Sequence, residues 1–112
     1  MEEAIPTLRV TEASLAVSWY RRLGYEQEWE HRFEPGFPVF VSLTRGGAAR
    51  LFLSEHTGDA TPDTLVYLRV DDLEAVAREF GAEIVEQPWG REVWLSDPDG
   101  NRLRLSPTVA SE

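Results

Sequence analysis

The same unit is written twice in this chain. Leu8-Arg9-Val10 recurs as Leu68-Arg69-Val70. Each copy is followed by a helical pattern that stops at glycine: Leu23-Gly24-Tyr25 in the first half, Phe80-Gly81-Ala82 in the second. Each then enters a strand-like stretch, 26–33 or 83–86, and a hairpin. A duplicated order of strand, helix, glycine stop and hairpin restricts the fold more than any single motif does. Each half reads β-α-β-β-β. Neither half alone covers a sheet, so the halves are expected to share one.

The first helix is expected over residues 14–23. Leu15, Trp19 and Leu23 recur there at i, i+4 and i+8, which is one helical face. Ser14 is placed to cap its start with a hydroxyl, and Gly24 to end it in the left-handed conformation. The second helix is expected over 72–80, with Leu73, Val76, Ala77 and Phe80 as its apolar stripe. Asp71 and Glu74 form a candidate capping box, and Gly81 closes the helix. Residues 39–43 and 49–54 alternate or run apolar around Gly46-Gly47, which reads as a hairpin. The polar, turn-rich stretch 55–63 links the halves. The expected organisation is one domain over residues 1–112, with module 1 at about 4–56 and module 2 at about 64–107.

Composition narrows the function classes. A chain of 112 residues with 42% hydrophobic and 28% charged residues fits one globular unit with a modest core. No apolar run approaches the roughly 20 residues of a membrane helix. The acidic start Met1-Glu2-Glu3-Ala4 lacks the basic, apolar character of a signal peptide, so the expected location is the cytoplasm. Without cysteine there is no disulfide, no thiolate metal site and no cysteine nucleophile. A net charge of −9 repels nucleic acid. No serine sits in a G-x-S-x-G context, and Gly46-Gly47 is too short for a phosphate loop. His31 and His56 read as separate surface histidines.

Strand alternation sorts the remaining side chains. Leu8 and Val10 share a face with Pro6, while Ile5, Thr7 and Arg9 point the other way. Val66, Leu68 and Val70 form an apolar face, with Leu65, Tyr67 and Arg69 opposite. In the last hairpin Trp94 goes with Glu92 and Ser96, and Arg104 with Arg102. Helices behind a sheet, with aromatic and charged groups in front, describe a ligand groove.

These residues resemble the vicinal-oxygen-chelate superfamily of glyoxalase I, ring-cleaving dioxygenases and bleomycin resistance proteins. The resemblance runs from Ile5 to Pro107 and is nearest the bleomycin-binding resistance proteins. AIPTLRV at 4–10 resembles their first strand, WYRRLGYEQEW at 19–29 their first helix, and PDTLVYLRVDDLEAV at 62–76 their central strand and second helix. EQPWGRE at 86–92 resembles their last turn, followed by DPDGN at 97–101. The chain is shorter than they are between the second helix and that turn. The resemblance implies an α+β fold: two βαβββ modules forming a curved mixed sheet with helices on the outer face.

It also implies where a metal would sit in the enzymes of this superfamily. Those four slots fall at Ile5, Phe52, Leu65 and Arg104, which offer no metal donor. No metal, no cofactor and no catalytic residue are therefore expected. What the resemblance implies instead is a non-catalytic, small-molecule binding protein. It would sequester a bleomycin-like drug, or another planar aromatic compound, in grooves at a homodimer boundary. The N-terminal strand can be exchanged in such dimers. The ligand-binding residues carried over are Trp89, Tyr67 and Phe33 for stacking, with Asp63 as an acidic partner. Trp94 is expected to line the groove or pack a dimer. Arg9, Arg69 and Arg104 depart from the family by facing the groove. They oppose a cationic drug unless Glu26, Glu28 or Glu92 pairs with them, or they bind a carboxylate or phosphate themselves. The alternatives are a metal-dependent lyase, isomerase or dioxygenase, a binder of a different, anionic ligand, or an interaction module with no tight ligand.

Overall fold

A strand, a helix and three further strands occur twice in order, as the repeat requires. The computed structural model describes residues 2–108; Met1 and residues 109–112, the ends of the expected domain, lie outside the described residues. The first module is β1 (Thr7–Arg9), α1 (Ala13–Arg22), β2 (Tyr25–His31), β3 (Phe40–Arg45) and β4 (Ala48–Ser54). The second is β5 (Leu65–Val70), α2 (Leu73–Phe80), β6 (Val85–Gln87), β7 (Gly90–Ser96) and β8 (Arg102–Pro107). This is the expected α+β fold of paired βαβββ modules.

The expectation that both halves share one sheet within the chain needs correction. Each module closes its own four-stranded mixed sheet, in the orders β1-β4-β3-β2 and β5-β8-β7-β6. In each, the first strand pairs parallel to the last, Thr7 opposite Phe52 and Leu65 opposite Arg102. The helix between them supplies the crossover that a parallel pair needs.

Burial follows the period-two pattern. Leu8, Val10, Leu53, Val66, Leu68, Val70, Leu103 and Leu105 turn back toward the helices and are buried. The expected stripe on α1 is corrected at Leu15 alone, since Leu23 is buried and Trp19 packs partly buried against the core. Leu15 is 59% exposed, and the buried face is Ala13, Ala16, Val17 and Tyr20. These also recur at i, i+3, i+4 and i+7. Three small or medium side chains let the helix sit close to the sheet, and Leu15 lies on the far side. Ser14 does not cap this helix; Glu12 is the N-cap and makes no side-chain cap bond. Instead Glu55 Oε2 accepts from the Ala13 amide at 2.8 Å.

On α2 the stripe Leu73, Val76 and Ala77 is buried as expected, and Phe80 packs partly buried against it. The cap is one residue later than the expected Asp71. Asp72 Oδ1 accepts from the Ala75 amide at 3.0 Å, and Asp71 accepts from Thr108 Oγ1 instead. Gly81 ends the helix at φ 61°, in the left-handed region that favours glycine.

The turn at 97–101 is the main polar tie between the modules. Asp97 is 5% exposed and Asn101 is fully buried. Asp97 Oδ1 accepts from the amides of Asp99 and Asn101, both at 2.9 Å. Its Oδ2 accepts from Asn101 Nδ2 at 3.0 Å and from the Tyr20 hydroxyl, across from α1, at 2.9 Å. Asn101 Nδ2 also donates to the Arg9 carbonyl at 2.9 Å, and Asp99 Oδ1 accepts from the amide and hydroxyl of Thr11. Burial, and then the nearby Asp97, push the Tyr20 phenol well above its ordinary pKa, so it stays a donor.

Candidate functional site

The front face of the second sheet is built around one carboxyl group. In β7 alternation sends Val93 and Leu95 into the core and Glu92 and Trp94 forward. Trp94 lies opposite Arg104 on β8, and Arg104 lies opposite Tyr67 on β5. This makes one row across three strands. Trp89 arrives from the β6–β7 hairpin, where Gln87 pairs with Gly90. Only Pro88 and Trp89 remain at the tip, and Gly90 takes a φ of 143°, which L side chains rarely adopt.

Glu92 is fully buried, yet it is surrounded by exposed rings. Its Oε2 accepts from Trp89 Nε1 and from the Tyr67 hydroxyl, both at 2.7 Å. Its Oε1 accepts from Trp94 Nε1 at 2.8 Å. The hydrogen bonds from Trp89, Trp94 and Tyr67, in that order, hold the carboxyl below its ordinary pKa. One carboxylate thus fixes three aromatic side chains by their polar edges. The rings remain about half or more exposed: Trp89 is 67%, Trp94 49% and Tyr67 47% exposed. The Arg104 guanidinium lies 5.0 Å from the Trp94 ring centroid, a cation–π distance.

Five of the expected site residues, Tyr67, Arg69, Trp89, Trp94 and Arg104, come together on β5, β7, β8 and the β6–β7 tip. Three do not join that set. Phe33 lies after β2 in the first module, 72% exposed, with its ring edge-on to His31 at 4.7 Å. Arg9 lies on β1 of the first sheet. Asp63 precedes β5 and sits beside Gly100, at the opposite end of β7 from Trp89. The seven residues of β7 separate those ends by roughly 20 Å.

The carboxylates expected to neutralise the arginines do other work. Glu28 bonds Arg50 and Ser42, and Glu92 holds the rings. Arg9, Arg69 and Arg104 form no ion pair among the described residues. Sequence reasoning missed Glu92 as a hub. Its signal is the W-x-x-E-x-W spacing from Trp89 to Trp94, which puts a carboxylate between two indoles. The first sheet carries a second aromatic group. Trp29, Phe40 and Phe52 pack with centroids 5.0 to 6.0 Å apart.

The contents of the four metal slots are unsuited to a metal. Phe52 packs in that aromatic group, Leu65 is 45% exposed, and Arg104 covers Trp94. These side chains, with Ile5, do not fit a divalent ion. Among the described residues no three His, Asp or Glu side chains lie close enough to hold one.

The model of the family described as "Glyoxalase superfamily protein" matches residues 1–112 of the chain. The chain belongs to the glyoxalase superfamily. Among solved members of this fold, a bleomycin resistance determinant encoded on transposon Tn5 is 26% identical, with a TM-score of 0.75. The match covers 98% of this chain and 100% of that one. The bleomycin-binding protein of Streptomyces verticillus, solved with copper(II)-bleomycin, is 25% identical with a TM-score of 0.72, covering 97% and 98%. An antibiotic-binding protein from Streptomyces sp. CB03234 shares the fold at 22% identity, with a TM-score of 0.77 over 96% and 98%. No curated protein sequence matches the chain. Within the glyoxalase superfamily, then, the fold lies beside proteins that bind drugs. Among the described residues no helix is long and apolar enough to cross a membrane.

Proposed function

We propose that this glyoxalase-superfamily protein binds a planar aromatic small molecule without transforming it, on the front face of its second sheet. Tyr67, Trp89, Trp94, Arg69 and Arg104 form the binding surface. The carrying observation is the Glu92 hub, which holds three rings in place by their edges while leaving them about half or more exposed. Rings fixed before the ligand arrives lose little rotamer freedom on binding, and each stacked pair contributes about 0.5–1.5 kcal/mol beyond area burial.

The protein works as a homodimer with the groove at the subunit boundary. Support comes from the aromatic groups left half-exposed on both sheets, Trp29 on the first and Tyr67 and Trp94 on the second. Sequestration of a planar antibiotic, or of an aromatic metabolite, in the cytoplasm fits the bleomycin-binding neighbours and the cysteine-free chain. Phe33, Asp63 and Arg9 reach such a ligand only if a second subunit brings them to it.

Intrinsic tryptophan fluorescence tests this reading. In a panel of planar aromatic compounds that includes bleomycin, at least one is expected to quench at on the order of tens of micromolar. Trp89→Ala is expected to weaken that binding about tenfold. A panel that leaves the emission unchanged, or a Trp89→Ala protein that titrates like the parent, contradicts it.

A further inference from the structure

The Arg69 end of this face carries a feature that aromatic stacking does not use. Arg69 on β5 lies directly opposite Ser106 on β8. Ser106 is 6% exposed, and its Oγ is buried without a hydrogen-bond partner. Among the described residues no other buried side-chain nitrogen or oxygen is left unpaired. An unpartnered buried hydroxyl is costly, so such a group points to an acceptor supplied from outside. Ser106 opens into a cavity of about 410 Å³ that Tyr67, Arg69, Trp89 and Arg91 also line.

The charges around that cavity have one sign to spare. Arg91 is paired with Glu74 at 2.6 Å. Arg69 makes only a long contact, 3.5 Å, to the Pro107 carbonyl. Arg102 and Arg104 extend the same face and form no ion pair among the described residues. Glu92 faces this side too and keeps one negative charge, since its indole and phenol partners are neutral, against the three arginines Arg69, Arg102 and Arg104. A chain of net charge −9 therefore presents a local basic patch here.

We propose that the Arg69–Ser106 end of the cavity is an oxyanion site, and that the ligand is a planar aromatic carboxylate. Its ring lies against Trp89 and Tyr67. One carboxylate oxygen accepts from the Ser106 hydroxyl and the other from the Arg69 guanidinium, a charge-assisted pairing. This rests on the reading of the face as an aromatic binding surface, and it names the class of ligand that surface takes.

The test compares three probes of one shape by calorimetry: 2-naphthoate, neutral 2-naphthamide and cationic 2-naphthylmethylammonium. In the native protein 2-naphthoate is expected to bind at least about tenfold more tightly than the other two. Arg69→Gln and Ser106→Ala are each expected to weaken 2-naphthoate more than 2-naphthamide and so shrink that preference, and an unchanged preference in both variants overturns the oxyanion site. Trp89→Ala is expected to weaken all three. Equal binding of the three probes, all weakened by Trp89→Ala, overturns the oxyanion site and leaves the aromatic surface standing. A preference for the ammonium probe does the same. Binding of none overturns both.

Discussion

Replacing Asp97 with alanine is expected to destabilise the protein by about 3–5 kcal/mol and to lower its Tm by roughly 10–20 °C. The side chain accepts four hydrogen bonds inside a nearly closed site. Alanine leaves the amides of Asp99 and Asn101, the Asn101 side chain and the Tyr20 hydroxyl without this partner. Each orphaned buried donor costs about 1–3 kcal/mol, reduced where the turn relaxes or water enters. Because Tyr20 belongs to α1 and Asp97 to the β7–β8 turn, the loss also loosens one module from the other. Tyr20→Phe removes a single bond and is expected to cost about 1–2 kcal/mol. The two changes are expected to be non-additive, since the double variant has no phenol hydroxyl left to orphan. Urea unfolding of the four proteins in that cycle measures this. A loss under about 1 kcal/mol for Asp97→Ala contradicts the turn's role.

The second large effect concerns the rings. Glu92→Gln is expected to weaken binding of an aromatic ligand roughly tenfold, and Glu92→Leu roughly a hundredfold. Glutamine keeps the shape but has one acceptor oxygen and an amide that donates. If the oxygen keeps Tyr67 and Trp89, the NH2 group meets the Trp94 N–H, donor against donor. At least one ring is released. Leucine releases all three. The same argument gives a pH dependence. The Glu92 pKa is lowered from 4.5 by the folded surroundings, so its stabilising contribution is complete above that value. It is lost as pH falls through the lower folded value. Tryptophan emission is therefore expected to change on the acid side of 4.5 in the native protein, and the Gln variant is expected to lack that step. Near-UV circular dichroism along the same titration checks it. An identical acid transition in both proteins contradicts the hub.

These two sites also show what the sequence could and could not disclose. The duplicated order of elements is legible, because period-two and period-3.6 patterns are local. β5 is legible to the residue, and alternation sorts its faces correctly into Val66, Leu68 and Val70 behind and Leu65, Tyr67 and Arg69 in front. The α1 stripe misleads at Leu15. Two sets of residues satisfy helical spacing there; Leu23 and, in part, Trp19 turn inward as read, but Leu15 looks more apolar than the alanines buried in its place. What decides is the close seat against the sheet and the bond from Tyr20 to a residue 77 positions on. The Asp-Pro-Asp-Gly-Asn run reads as a turn, but its service to the other module depends on that same long-range contact. At the candidate site, Trp89, Tyr67, Trp94, Arg69 and Arg104 gather because strand register places them in adjacent rows. Phe33, Asp63 and Arg9 enter the expected set partly or wholly by resemblance, and in a single chain they lie elsewhere. Glu92 is legible only in part: its spacing from Trp89 and Trp94 is local, but its third partner, Tyr67, comes from β5, 25 positions away.

The most direct measurement is 19F NMR of protein labelled with 5-fluorotryptophan, titrated with 2-naphthoate. The four tryptophans report on different places: Trp89 and Trp94 on the front of the second sheet, Trp29 on the first sheet, and Trp19 against Tyr20 and Phe80. The expected result is a saturable shift of the Trp89 and Trp94 resonances while Trp19 stays fixed, and loss of the response in Glu92→Leu. A spectrum in which Trp89 and Trp94 do not move while the probe binds elsewhere contradicts the assignment of the second sheet's front face as the binding surface.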